Sequence, residues 1–293
     1  LDAVLHQPFY RGKEKIMPKL SHTFLPAVVA AALSTPLSAA EEAAPPSPHT
    51  FTANVSLVST YIFRGLTQTW DRPALQGGAD YAHSGGWYAG LWGSAVSGNQ
   101  YPGGSGLELD YYGGYNGKIT GDLGWTAGIY GYWYPGASFN KANPPIADEK
   151  FDNLEVNVGL SYKWVNAKYS RSVTDYFGAN TSTGYTSGTK GSGYFEVNAA
   201  IPLRDDLTLG LHAAHTDVKA NLRTPLPSGA TDPDYNDYRI SLTKAFKDGW
   251  NLGVAYTYAD NTAFYDRAAS LVNAGDTKDL GGSHWVLFAG RTF

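Results

Sequence analysis

Polar and apolar residues exchange at every second position along most of this chain, in about a dozen separate stretches. In the stretch beginning at Asn153, Asn153, Glu155, Asn157 and Ser161 alternate with Leu154, Val156, Val158, Leu160 and Tyr162. Near Phe195, the residues Phe195, Val197, Ala199 and Ile201 alternate with Glu196 and Asn198. A period of two puts successive side chains on opposite faces of an extended strand, so each segment has one apolar and one polar face. Twelve such segments are expected, near 52–64, 73–83, 87–96, 106–118, 122–134, 152–163, 165–175, 193–203, 207–216, 236–246, 249–259 and 283–293. No sustained helical periodicity competes with them. Beyond the N-terminal region no run reaches the roughly 18 apolar residues of a membrane-spanning helix.

The connections between segments alternate in length. Those at 84–86, 119–121, 164, 204–206 and 247–248 are short, whereas 135–151, 176–192, 217–235 and 260–282 are long. Short turns at one end and long loops at the other are the pattern of a transmembrane β-barrel, and a soluble sandwich has no reason to separate its loops this way. Composition agrees: charged residues make up 16% of the chain, against about 25% in soluble domains. Aromatic residues reach 14%. Tyr61, Phe63, Trp87, Tyr111, Tyr115, Trp125, Trp133, Trp164, Trp250, Tyr256, Tyr258 and Trp285 fall near segment ends on the apolar face, where interfacial girdles form. The expected fold is all-β, an antiparallel transmembrane β-barrel of about twelve strands.

The N-terminal region has a different grammar. Met17 is followed by Lys19, an apolar run from Phe24 to Leu37 and the small residues Ser38, Ala39 and Ala40, the layout of a secretory signal peptide. We expect 1–16 to be upstream extension, 17–40 a cleavable signal peptide, 41–50 a linker containing the Pro-rich Ala43–Pro48 stretch, and 51–293 the barrel. Phe293 closes the last segment as a terminal aromatic, a feature that resembles the signal read by the outer-membrane assembly machinery, although Arg291 stands where an aromatic is more usual.

The stretches VSTYIFRGLTQT, PALQGGADYAHSGGWYAGLWGSAVSG, ELDYYGGYNG, YGYWYPG and KYSRSVTDYFG, in that order, resemble the TorF-like porin family of Gram-negative bacteria, also known as a conserved domain of unknown function. The similarity runs from about Phe51 to Asp260. The resemblance implies an outer-membrane barrel and no particular substrate. The partners expected of such a barrel are outer-membrane lipid and lipopolysaccharide, periplasmic chaperones and the barrel-assembly machinery during biogenesis, and small solutes. Assembly into homo-oligomers stays open.

If the apolar faces meet lipid, the polar faces line a lumen. Its expected lining is Arg64, Gln76, Asp80, Glu108, Asp110, Glu155, Asn157, Lys168, Glu196, Asn198, His212 and Arg239. Among these, Asp80, Glu108, Asp110, Glu155 and Glu196 outnumber Arg64, Lys168 and Arg239, which predicts a weak cation preference for passive diffusion through an open pore. The competing arrangement pairs these charges across neighbouring strands and fills a narrow barrel. A closed structural or adhesive barrel is thus the alternative, with a lipid-modifying enzyme as the third class. The enzyme reading lacks a motif: no nucleophile elbow, phosphate-binding loop or zinc-protease signature occurs. His212 and His215 lie three apart on a strand and face opposite ways. The formal net charge of −4 offers no footprint for nucleic acid, and the absence of cysteine removes thiolate metal sites. No cofactor or resident metal is expected. Asp232, Asp234, Asn236 and Asp237 have calcium-loop spacing, but the glycine and the glutamate that complete such a loop are missing.

Overall fold

The computed structural model describes residues 47–293. Its twelve long strands are β1 (His49–Val58), β2 (Ala74–His83), β3 (Trp87–Ala95), β4 (Leu107–Thr120), β5 (Leu123–Trp133), β6 (Asn153–Tyr162), β7 (Val165–Ser172), β8 (Gly193–Arg204), β9 (Leu207–Asp217), β10 (Tyr235–Ala245), β11 (Trp250–Ala259) and β12 (Gly282–Thr292). Each pairs antiparallel with its sequence neighbours, and β1 pairs with β12 to close a barrel. The closing seam runs from Asn54↔Thr292 to Val58↔Phe288 and is prolonged by Phe293 N–H donating to Ala53 C=O at 2.8 Å. The twelve-strand expectation therefore holds. The proposed signal peptide and most of the linker lie outside the described residues; of the linker, His49 and Thr50 already belong to β1.

Closure satisfies the backbone, and alternation then divides the side chains. Val55, Leu57, Leu75, Leu91, Ile129, Val156, Val158, Leu160, Ile240, Leu252 and Leu287 all point outward and are exposed. An apolar surface that encircles a barrel is suited to lipid, because a soluble monomer rarely exposes patches beyond a few hundred Å². Aromatics flank this band at both ends. Phe51, Trp87, Trp125, Trp164, Phe246 and Trp250 lie toward the short turns; Tyr111, Trp133, Tyr238, Tyr258 and Trp285 lie toward the long loops. Two residues expected in these girdles are elsewhere: Tyr61 and Phe63 fold into the barrel, because β1 ends at Val58 rather than continuing to Arg64. No helix among the described residues is long and apolar enough to cross a membrane.

The interior is not uniform. Toward the short turns it is lined by small and polar residues, among them Asn54, Ser56, Thr126, Asn157, Asn166, Ser241 and Asn251. Toward the long loops it is packed with aromatic and charged side chains. Tyr112 reaches across to β3 because Gly90 leaves its side-chain position to the tyrosine ring.

The two faces of one strand predict unequal responses to substitution. Val158→Arg, at the outward centre of β6, lowers unfolding stability in lipid vesicles by about 2–4 kcal/mol. Asn157→Ser, the inward neighbour, changes it by less than about 1 kcal/mol. Urea titration of the refolded barrel in vesicles measures both, and equal losses would contradict a lipid-facing Val158.

Candidate functional site

The candidate site is the inside of the barrel, and its organising element is loop 1 (residues 59–73). After β1 the chain turns inward, pinned by Ser59 N–H to Leu287 C=O at 2.8 Å and by Leu287 N–H to Ser59 Oγ at 3.0 Å. A short hairpin, Ile62–Phe63 against Leu66–Thr67, follows. Its two turn residues, Arg64 and Gly65, have φ of 47° and 76°, as a two-residue hairpin turn with the favoured twist requires. Glycine meets that demand at Gly65, where a side chain would also lie 2.6 Å from Asp237 Cβ. Arg64 has no such freedom, so its backbone is held by what its guanidinium contacts.

Those contacts lie across the lumen. Arg64 Nη1 and Nη2 donate to Glu155 Oε1 and Oε2 at 3.0 and 2.8 Å, a bidentate ion pair with both side chains buried. The same guanidinium donates to the hydroxyls of Tyr176 (3.2 Å) and Tyr132 (3.3 Å) and sits 4.1 Å from the centre of the Tyr194 ring. Tyr132, Glu155 and Tyr194 are on β5, β6 and β8, on the far side of the barrel from β1 and β2. Loop 1 thus spans the interior and is tied to the opposite wall. A planar fork that matches a carboxylate and lies against aromatic faces is the geometry for which arginine is the suited residue.

The other long loops fill in behind it. Tyr101 stacks on Tyr134 at 4.2 Å, Phe139 on Phe151 at 4.1 Å, and Phe177 meets Phe63 and Tyr132 edge to face or tilted. Thr67 N–H donates to Leu280 C=O at 2.9 Å and Lys278 pairs with Asp71 at 2.6 Å, so loop 6 (260–281) braces loop 1 from above.

The residues read from the sequence as lumen-lining all face inward, and most are engaged. Gln76 donates to Ser94 (3.2 Å), Tyr112 to Asp80 (2.5 Å), Tyr61 to Glu108 (3.1 Å) and Tyr130 to Asp110 (2.8 Å). Lys168 pairs with Glu196 at 2.8 Å, and Asn198 donates to Glu196 at 2.9 Å. His212 lies 2.6 Å from Asn198 Oδ1 and 2.8 Å from Asp237 Oδ1. Arg239 stands near the Phe288 ring without an ion pair among the described residues, and Asn157 lines the polar half. Arg64 belongs to loop 1 rather than to a strand, a correction to the expectation for 52–64. The charges are paired across the interior to a degree that favours the filled arrangement over a wide open pore at the long-loop end.

Asp237 is the lumen residue that the sequence reading missed. It was grouped with the acidic stretch 232–237, yet it follows Tyr235 and precedes Arg239 on the inward face of β10, so alternation was the available signal. That same placement removes the calcium loop. Asp232 caps Asp234 N–H at 3.0 Å, Asp234 accepts from Val218 N–H at 2.6 Å, and Asp237 turns to His212. Burial holds the Asp234 carboxyl above the usual carboxylate range, with the Val218 N–H opposing. No cluster of three or more metal-ligating side chains exists among the described residues. His215 faces outward to Asn236 at 2.9 Å, opposite to His212, as expected.

Comparison with known proteins bears on the fold. A family model described as "Bacterial protein of unknown function (Gcw_chp)" matches residues 42–293. Among solved structures, the NanC porin is similar with a TM-score of 0.51 at 10% identity, over 83% of this chain and 99% of that one. The KdgM porin in complex with disordered oligogalacturonate has a TM-score of 0.47 at 6% identity, over 83% and 99%. The toluene transporter TodX of P. putida has 0.45 at 12% identity, over 85% and 90%. No curated protein sequence matches. The NanC likeness shows a shared barrel fold.

The Arg64–Glu155 pair makes a specific thermodynamic claim. Glu155→Ala leaves the guanidinium buried and unpaired and costs about 3–5 kcal/mol of stability. Arg64→Ala together with Glu155→Ala costs less than the sum of the two single losses, because the stranded charge has gone. Denaturant unfolding of the four proteins gives the coupling; strictly additive losses would show that the pair does not hold loop 1.

Proposed function

Because the chain belongs to the Gcw_chp family of bacterial proteins of unknown function, we propose a function from its own geometry: an outer-membrane porin-like channel for small hydrophilic solutes or ions, closed in this state by loop 1. The observation that carries the reading is a polar interior, inside an apolar-banded closed barrel, in which the short-turn half is lined by small polar residues. The obstruction at the other half combines wall side chains such as Tyr112 and Tyr132 with the long loops, and loop 1 is the part of it that reaches across the lumen. Loop 1 is held by the Arg64–Glu155 pair at its tip, by Tyr61 on Glu108 and by loop 6, contacts of a connection rather than of the hydrogen-bonded wall, so it can leave the lumen when they break together. In this reading the short turns face the periplasm and the long loops face outward.

The finer features follow from the same interior. Asp80, Glu108, Asp110, Glu155, Glu196 and Asp237 face Arg64, Lys168 and Arg239 there, an acid excess that supports a weak cation preference. Residues 17–40 would act as the secretion signal. The TorF-like resemblance agrees with this localisation. Phe293 would serve as the assembly signal, with the Arg291 guanidinium lying 4.7 Å from its ring centre and 5.4 Å from that of Trp250. A second reading, a permanently closed structural barrel, is favoured by the packed long-loop half, in which Glu108 and Tyr134 are almost completely buried.

Single-channel recording of the refolded protein in a planar bilayer separates the two. The channel reading predicts small, infrequent conductance steps that Arg64→Ala makes larger or more frequent. The Glu108→Gln/Asp110→Asn pair should shift the reversal potential in a salt gradient toward chloride. Silence from correctly folded native protein and Arg64→Ala alike would establish the structural barrel.

A further inference from the structure

In one part of the interior the charges do not close. Glu108 and Asp110 lie two apart on β4 and both face inward, Glu108 wholly buried and Asp110 only 3% exposed. One oxygen of each is satisfied, Glu108 Oε1 by the Tyr61 hydroxyl and Asp110 Oδ2 by that of Tyr130. The other two, Glu108 Oε2 and Asp110 Oδ1, have no hydrogen-bond partner among the described residues. The buried indole N–H of Trp92, the register partner of Asp110 on β3, has none either. Glu155 and Glu196 each face a cationic side chain and Asp237 a histidine, but among the described residues no ion pair reaches Glu108 or Asp110. Arg64 and Lys168 are committed to Glu155 and Glu196.

Two adjacent buried carboxyl groups without a counter-charge are costly to ionise, so a cation bound beside them takes the place of a proton. Their surroundings are aromatic. Trp92 lies edge-on to Tyr61 at 5.5 Å, and Tyr112 stacks on Tyr130 at 5.1 Å. We propose that Glu108 and Asp110 form a binding site for a monovalent cation, with Glu108 Oε2 and Asp110 Oδ1 as its oxygen contacts and the Trp92 indole beside them. The coordination count excludes the common alternatives. Two free carboxylate oxygens fall far short of the six to eight oxygens that calcium takes, or the octahedron that magnesium demands. Among the described residues no group of three or more histidine, cysteine, aspartate or glutamate side chains is placed to hold a transition metal. An alkali ion carrying water, or a small organic ammonium, needs no more than this site supplies. A water entering with the cation accepts from the Trp92 indole and donates to a carboxylate oxygen. The route by which the cation arrives rests on the channel reading; the chemistry of the site does not.

Thermal unfolding of the refolded full-length barrel in detergent tests the site at constant ionic strength. The salt is N-methylglucamine chloride, replaced stepwise by potassium chloride or by tetramethylammonium chloride. A cation that binds the folded barrel raises its Tm saturably, by about 5–10 °C at a hundredfold excess over Kd. A shift with potassium alone identifies an alkali-ion site; a shift with tetramethylammonium alone identifies an organic-ammonium site. In either case Glu108→Gln/Asp110→Asn abolishes the dependence. If that variant does not fold, Trp92→Phe carries the test, because the native emission changes saturably in the same titration and the emission of the variant does not. A Tm insensitive to both cations overturns the proposal, as does a salt dependence that the double variant retains or an emission change that Trp92→Phe retains. Conductance of the same preparation keeps the two claims apart. A conducting barrel without saturable binding refutes the site alone, and saturable binding in a silent barrel refutes the channel alone.

Discussion

Everything in this molecule depends on the hydrogen-bonded seam between its first and last long strands. In hydrocarbon no water is present to satisfy an open sheet edge, so a β structure spans lipid only when every strand has two neighbours. The pairing of β1 with β12 supplies the last of those contacts, from Asn54 through Val58. Once the ring is closed, the pleat alone decides which side chain meets lipid and which meets the lumen. Leu57 and Leu287 on the outside, and Val58 and Val286 on the inside, are consequences of that closure rather than separate choices.

Closure also creates the electrostatic problem that the interior solves. Polar side chains are needed on the inner face to give the strands their two-sided character, yet a twelve-strand ring is narrow enough for opposing walls to interact through a loop. Many of the polar groups are therefore engaged at short range: Lys168 pairs with Glu196, Asp237 shares a hydrogen bond with His212, and Glu155 pairs with Arg64. The last of these is different in kind, because its arginine arrives from a loop and not from the wall. One ion pair consequently links the position of loop 1 to the polarity of the lumen. Loop 6 and the stacked pairs Tyr101–Tyr134 and Phe139–Phe151 then support loop 1 from above.

The architecture was legible because it is written in local geometry. Alternation in segments such as 153–162 follows from the two-residue repeat of a strand, and the separation of short from long connections follows from a barrel with two unlike ends. The inward fold of loop 1 was not legible in the same way. Residues 59–64 continue the alternation of β1, and only Gly65, following Arg64, hints at a tight turn. The partner that makes the turn worthwhile, Glu155, is 91 residues away. Long-range pairing of this kind leaves no periodic trace. Asp237 is the opposite case: its alternation with Tyr235 and Arg239 placed it inside, but the neighbouring aspartates drew it into a loop motif that β10 does not form.

The central claim is that loop 1 closes a passage that exists without it. Charge reversal at the tip of loop 1 tests it, because Arg64 and Glu155 meet as a bidentate pair across the lumen. Single-channel recording of Arg64→Glu, and of Arg64→Glu combined with Glu155→Arg, measures the claim directly. The account predicts larger or more frequent conductance steps from the single variant, in which two carboxylates repel, and a return toward the quiet native trace when the pair is restored in the opposite sense. Identical traces from the native protein and the single variant would contradict it.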